Sequence, residues 1–276
     1  MADEGTGLRR VQDVMGTAIS LHLADPLPAT DLAALADQVF AWFHEVDQRF
    51  STYKEGSEVN RLDRGELSDR DCSPDLRHVL DECSELWRAT DGYFDAHATG
   101  RFDPSGYVKG WSVQVASDRL VARGAVNHCI NAGGDVRVRG NPVPGKPWRI
   151  GIRHPWLTHQ LCWVLEGTDL AVATSGTYER GYHVIDPRTG APARELRSVT
   201  VVGPDLGPAD AYATAAVAMG LPGLDWLARL AGHEAGVVTE DGLCFRSDRL
   251  PTAPPEPTDM VEAHPPVAPT PGTPVG

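Results

Sequence analysis

The hydrophobic pattern changes period along the chain, and those changes divide it into elements. MGTAISLHL, from Met15, alternates apolar and polar side chains over a short β-rich run, which predicts a strand. After the turn DPLP, apolar residues recur at Leu32, Leu35, Val39, Phe43 and Val46, the spacing of one helix face, so Asp31 to Phe50 is predicted helical. A second helix is predicted from Pro74 to Thr90: Ser73 is placed to cap it, Asp75 sits near the positive end of its dipole, and Gly92 lies just past its end. A third is predicted from Lys109 to about Arg123.

Beyond Asn127 the texture turns to short β-rich runs, HCINAGGDVRVRG, PWRIGIRHP, LCWVLEGTDLAVATSG and RSVTVVG, separated by turn residues at hairpin-like distances. An Ala-rich helix from Asp210 to Met219, a further helix around Leu224 to Ala231 and a strand pair near GVVTEDGLCFRS complete the pattern. Helices first, then strands with interleaved helices, predict an α+β fold of mixed layers. Residues 1–250 are assigned to one large domain. From Pro251 to Gly276 the chain holds nine prolines and no Lys or Arg. Such a segment buries too little apolar surface to offset its ordering entropy, so a disordered tail is predicted there.

Composition narrows the function classes. The chain has 276 residues, 41% of them hydrophobic, enough for a sizeable core. A formal charge of −13 without a Lys/Arg cluster argues against a nucleic-acid surface, which neutralises phosphates with clustered bases. An acidic chain of this kind that held a pyrophosphate would do so through backbone N–H groups, a metal and one or two chosen basic residues. The five cysteines are odd in number, widely spaced and without a C-x-x-C pair, which fits reduced thiols. No signal-peptide pattern opens the sequence, and no stretch reaches the roughly twenty apolar residues of a membrane span. A cytoplasmic location is expected.

Candidate chemistry begins at ADAYATAAVAMG, from Ala209. On a helix, Asp210 and Thr214 stack their oxygens one turn apart, an arrangement suited to Mg²⁺, which keeps one or two carboxylates and takes its other ligands from water and phosphates. Taken alone, the same residues fit an N-cap Asp and a Thr buried on the helix face. In DPSGYVKGW, from Asp103, Pro and two glycines suggest a turn into a helix, with Lys109 in its first turn, where a nearby anion would offset an unfavourable place for a cation. The glycines of NAGGDVRVRG allow either a tight hairpin or close approach of backbone to a ligand. TSGTYERGYHVIDPRTG, from Thr174, carries His183 and turn residues at Asp186-Pro187 and Thr189-Gly190.

Together with MGTAISLHL and FSTYKEGSEVNRL, these segments resemble the ApbE family, the FAD:protein FMN transferases. The resemblance runs from about Val11 to Phe245, with six motifs in the family's order. It implies a single large mixed layered domain of the ApbE, T-fold-like type. It further implies that Asp103 and Lys109 contact FAD, and that Gly106, through its carbonyl, joins Asp210 and Thr214 in holding Mg²⁺, with the backbone of Ala213 nearby. Met15 and Tyr53 fall where the family places the isoalloxazine. Phe94, Asp95 and Ala96 match another FAD-contacting stretch, although relatives usually carry D-P-T where this chain has D-A-H, and the span from Asp95 to Asp103 is shorter here. Ile185 matches a position whose backbone meets FAD. Asp135 is implied to be structural or near the substrate entrance.

The activity so implied is Mg²⁺-dependent transfer of FMN from FAD to a Thr or Ser hydroxyl of an acceptor flavoprotein, releasing AMP. His183 would take the hydroxyl proton and Asp210, the second residue of the catalytic set, would serve mainly as metal ligand. Two alternatives stay open: an FAD pyrophosphatase using the same site with water, and a non-catalytic FAD-binding protein. An aromatic residue at Tyr53 goes with transfer in the resemblance. Many relatives carry a lipoprotein signal, which is not visible in this sequence, so an acceptor reachable from the cytoplasm is expected.

Overall fold

The structure is a computed structural model that describes residues 7–68, 70–157, 159–177, 183–254 and 256. In chain order its elements are β1 (Leu8–Val14), β2 (Thr17–Leu23), α1 (Ala29–Phe50), α2 (Glu58–Asp63), α3 (Pro74–Ala89), α4 (Ser105–Ala122), β3 (His128–Ala132), β4 (Asp135–Arg139), β5 (Trp148–Arg153), β6 (Leu161–Gly167), β7 (Asp169–Gly176), β8 (Leu196–Gly203), α5 (Leu206–Met219), α6 (Pro222–Ala228), β9 (Glu234–Thr239), β10 (Cys244–Arg246) and β11 (Thr252–Ala253). Eight strands form one antiparallel sheet in the order β1-β2-β3-β4-β7-β8-β9-β10, and β11-β6-β5 form a small second sheet.

Side-chain alternation sorts the layers. Ile19, Leu21, Ile130, Ala132, Ala171, Ala173, Val199 and Val201 face α1, α3, α4 and α5 in one large core. Val136, Val138, Val172 and Val202 point the other way, onto Trp148, Ile150, Ile152 and Leu165 of the small sheet. The result is a single α+β domain of three layers, as the pattern predicts. Among the described residues no helix is long and apolar enough to cross a membrane.

Several boundaries differ from the sequence reading. The run from Met15 is strand only from Thr17; Met15 and Gly16, with φ of 55° and 70°, are the turn of a hairpin whose first strand, β1, was not foreseen. Ser73 caps α3, accepting from the Leu76 N–H at 3.2 Å, as predicted. Helix α4 starts at Ser105, four residues before the predicted Lys109, so both glycines of the motif are helical and Lys109 sits in the second turn. The reason is packing. A Cβ at Gly110 would come 2.3 Å from the Leu206 carbonyl oxygen and 2.8 Å from Asp210 Cβ, and one at Gly207 would come 2.8 Å from the Tyr107 ring. Glycine is there so that α4 and α5 can cross at close quarters, the use that small residues serve wherever backbones must approach.

Helix α5 likewise starts upstream of the expected Asp210, at Leu206, with Asp205 as cap accepting from Gly207 N–H at 2.8 Å. Asp210 is therefore not an N-cap. Past residue 250 the chain still holds structure: Thr252 and Ala253 pair with Leu165 and Val164, and the Glu166 N–H donates to the Pro251 carbonyl. Residues 251–254 are therefore ordered, against the prediction of a disordered tail from Pro251; residues 255 and 257–276 of that segment lie outside the described residues.

Candidate functional site

The first two turns of α4, the β3–β4 hairpin, the end of β7 and the second turn of α5 meet at one place. Gly133 and Gly134, with φ of 59° and 98°, make the two-residue turn that pairs Ala132 with Asp135. A Cβ at Gly133 would lie 2.5 Å from Thr17 Oγ1, so this turn is held tight against the β1–β2 turn that carries Met15. Asp135 then opens β4 on its helix-facing side, fully buried. Its Oδ1 accepts from the Thr174 N–H at 3.2 Å, and its Oδ2 lies 2.6 Å from Lys109 Nζ in an ion pair whose angle departs from that of a hydrogen bond.

Asp210, only 2% exposed, accepts from the Gly110 N–H through Oδ2 at 3.0 Å. Burial pushes its carboxyl well above the ordinary carboxylate range; the charge of Asp135 adds to that rise, while Lys109 and the Gly110 N–H oppose it. The Gly110 N–H is also the group that an α-helix assigns to the Gly106 carbonyl, so Asp210 competes with that carbonyl for its donor. One turn along α5, Thr214 Oγ1 is 3.1 Å from Ser175 Oγ. A Cβ on Gly106 would meet Phe94 at 3.3 Å and Thr214 Oγ1 at 3.4 Å, so Gly106, Phe94 and Thr214 form one contact set. Ala213 is buried mid-helix and brings no side-chain donor.

The donor set of a carboxylate, hydroxyls and a backbone carbonyl is hard and all-oxygen, the chemistry Mg²⁺ prefers. Among the described residues no group of three or more His, Cys, Asp or Glu could hold a metal by itself. A cation here would complete its shell from water and ligand phosphates, as Mg²⁺ usually does. The residues fit the ion.

Around this centre lie the other predicted residues. Met15 is half-buried, its Sδ 4.0 Å from Ser112 Oγ on α4, one turn beyond Lys109. Phe94 and Ala96 are buried, and the Asp103 N–H donates to the Ala96 carbonyl at 2.7 Å, while Asp103 and Asp95 bond the N–H groups of Ser105 and His97. Tyr53 is 96% exposed and lines a cleft of about 560 Å³ with Thr52, Asn60, Arg64 and Arg101. Met15 is not among that cleft's walls.

His183 is exposed, and the residues before it, 178–182, lie outside the described residues. Val184 and Ala193 are bonded across a short hairpin, with Ile185 bridged to Pro192. Arg188 fastens this hairpin to the segment before Phe94: its Nη2 is 2.5 Å from Asp91 Oδ2 and its guanidinium lies 4.4 Å from the centre of the Tyr93 ring. Sequence reasoning missed Arg188, Ser175 and the centrality of Asp135. Only Asp135 left a local signal, because alternation in DVRVR sets Asp135 and Arg137 on the face opposite Val136 and Val138.

The model of the ApbE family matches residues 15–100 and 96–237. A Vibrio cholerae protein named FAD:protein FMN transferase is 37% identical over 128 residues, 43% of this chain and 38% of that protein. A Rhodobacter capsulatus protein of the same name is 34% identical over 159 residues, 54% of this chain and 30% of that one. The chain thus spans under two fifths of the length of these relatives in the matched segments. A Chlamydia pneumoniae protein of that name is 23% identical over 262 residues, covering 73% and 79%. Among solved structures, the flavin transferase ApbE from Vibrio cholerae superposes with a TM-score of 0.75 at 24% identity over 88% of this chain and 97% of that one. The ApbE protein from Thermotoga maritima gives 0.76 at 22% identity, with the same coverage.

Proposed function

Because the chain belongs to the ApbE family, we propose that it catalyses Mg²⁺-dependent transfer of FMN from FAD to a Thr or Ser hydroxyl of an acceptor protein, with release of AMP. The observation that carries this reading is the convergence of Gly106, Asp210 and Thr214 with Lys109 where α4 crosses α5.

In the reaction the acceptor oxygen forms a bond to the FMN phosphorus of FAD, the P–O bond to AMP breaks, and the hydroxyl proton passes to His183. Asp210, Thr214 and the Gly106 carbonyl would hold Mg²⁺, with Ala213 backbone beside them; when bound, that ion neutralises charge on the diphosphate. Lys109 supplies the local positive charge that an acidic chain needs at a phosphate. Met15 and Tyr53 would meet the isoalloxazine, and Phe94, Asp95, Ala96, Asp103 and Ile185 the rest of FAD. Holding the diphosphate at buried groups while His183 stands exposed allows a macromolecular hydroxyl to reach the phosphorus. The five free thiols fit a reducing compartment, so cytoplasmic acceptor domains are the first to test.

The test is mass spectrometry of candidate acceptors after incubation with FAD and Mg²⁺. An added FMN phosphoester on Thr or Ser, lost with His183→Ala, is the expected result. Free FMN and AMP without a modified acceptor would move the assignment to FAD pyrophosphatase. FAD that stays bound and intact would make the protein a flavin carrier.

A further inference from the structure

Three ionisable side chains share this centre: Lys109, Asp135 and Asp210. Of the two carboxylates, Asp135 has Lys109, at 2.6 Å, while Asp210 has the uncharged Gly110 N–H, at 3.0 Å. Asp135 is also the more firmly fixed. It follows directly on a two-glycine turn, it takes the Thr174 N–H from β7, and none of it is exposed. Lys109, by contrast, hangs from α4 on a flexible stem and keeps a quarter of its side chain in solvent.

Resting on the site proposed above, we infer that Asp135 is a positioning residue whose task is to hold the Lys109 ammonium off Asp210, leaving the Asp210 carboxylate available to a divalent cation. A lysine beside two buried carboxylates is attracted to both, and in a low-dielectric setting the nearer, better-fixed one captures it. Remove the charge of Asp135 and the attraction between Lys109 and Asp210, already felt at the Asp210 carboxyl, is no longer outcompeted by it. A cation would then have to displace an ammonium from its ligand. Asp135 thereby acts on the metal without touching it, through the orientation of its neighbours. The arrangement also keeps Lys109 at the site's edge, where a phosphate can draw on the ammonium once the substrate is in place.

The experiment is Mn²⁺ binding by the FAD-free protein, read from the electron paramagnetic resonance of free Mn²⁺ across the micromolar to millimolar range. Asp135→Asn keeps the shape and an acceptor for the Thr174 N–H, and its Mn²⁺ dissociation constant rises about tenfold or more. Adding Lys109→Met to that variant removes the competing ammonium and brings the constant back to near the parent value. Lys109→Met alone binds Mn²⁺ at least as tightly as the parent, which provides a reading even where Asp135→Asn folds poorly. Asp210→Ala separates the two claims. If it loses Mn²⁺ while Asp135→Asn does not, the inference about Asp135 fails and the site stands. If Asp135→Asn weakens binding and Lys109→Met fails to restore it, the residue is simply structural and the inference is overturned. Unchanged binding in Asp210→Ala, or no Mn²⁺ uptake by the parent, sinks the site and the inference together.

Discussion

Strand β4 buries two charged residues on its helix-facing side, two positions apart, and they live in opposite electrostatic conditions. Arg137, 1% exposed, is fully answered: its Nε donates to Gln114 Oε1 at 3.0 Å, Nη1 donates to the Val138 carbonyl at 2.9 Å, and Nη1 lies 2.6 Å from Asp169. Arg139 joins Asp169 to Asp118, so two arginines meet two carboxylates, and both carboxylates are more than half exposed. That network is balanced and vented to water. At Asp135 the formal count is two carboxylates to one ammonium, with Asp135 and Asp210 fully or almost fully buried. Burying an excess of one sign costs stability unless something else completes it. The first arrangement builds the fold; the second is the one that the proposed reaction completes with a ligand.

The comparison breaks most readily at Asp210. Asp210→Ala should slow FMN transfer roughly a thousandfold, as loss of a principal electrostatic group does, yet the melting temperature should change little, since burial and the neighbouring Asp135 already disfavour its charged form. Transfer near the parental rate would show that the unbalanced cluster is not a reaction centre. Arg137→Ala should do the reverse. Removing this buried side chain leaves Gln114 Oε1 and the Val138 carbonyl without their donor and opens a cavity, which costs about 2–5 kcal/mol of unfolding free energy, measurable in urea, while transfer per folded molecule stays within a few-fold of the parent. A large loss of rate at full stability would erase the distinction between the two regions.

His128 sharpens the same contrast from the balanced side. It is fully buried on β3, its ring nitrogens 2.7 Å from Ser117 Oγ and 2.9 Å from the Ala125 carbonyl, and burial pushes its pKa down to about 4, with Arg137 and Arg139 adding to the fall. Below pH 6.5 the unfolded chain takes up a proton that the folded chain refuses until about pH 4. Stability should therefore decline as pH drops through that window, by about 3 kcal/mol in all. Urea titrations at stepped pH should show the slope in the parent and a shallower one in His128→Gln; equal slopes would remove His128 from the account. Gly110→Ala sets a methyl against the Leu206 carbonyl and wedges α4 from α5, at about 3 kcal/mol. Because the wedge meets both the Leu206 backbone and Asp210, both stability and transfer should fall, and a variant losing only one would show that packing and site are less coupled than the crossing implies.

Much of this was legible in sequence where the signal is local. Helical spacing found α1 and α3, and the four-residue step from Asp210 to Thr214 held, because both depend on short-range periodicity. The glycines of DPSGYVKGW suggested a turn, since glycine usually breaks helices; the contact that requires Gly110 comes from Leu206, nearly a hundred residues on. Helix α2 is too short to show a period, and β1, LRRVQDV, alternates with charges that a sheet edge tolerates and a sequence pattern does not recommend. The ion pair of Asp135 with Lys109 is tertiary, so alternation could give its face but not its partner. Tyr53 was read as a pocket wall from motif alone, and its exposure could only come from the fold.

Gly110 offers one more use. Its amide proton sits inside a buried helix crossing and points at a carboxylate oxygen. Any ion or proton that draws on that oxygen changes the field at the amide, so its nuclear resonance and its rate of exchange with deuterium should register occupancy of the site directly. For the site as proposed, that amide would be an internal indicator of loading, readable without dye, label or turnover.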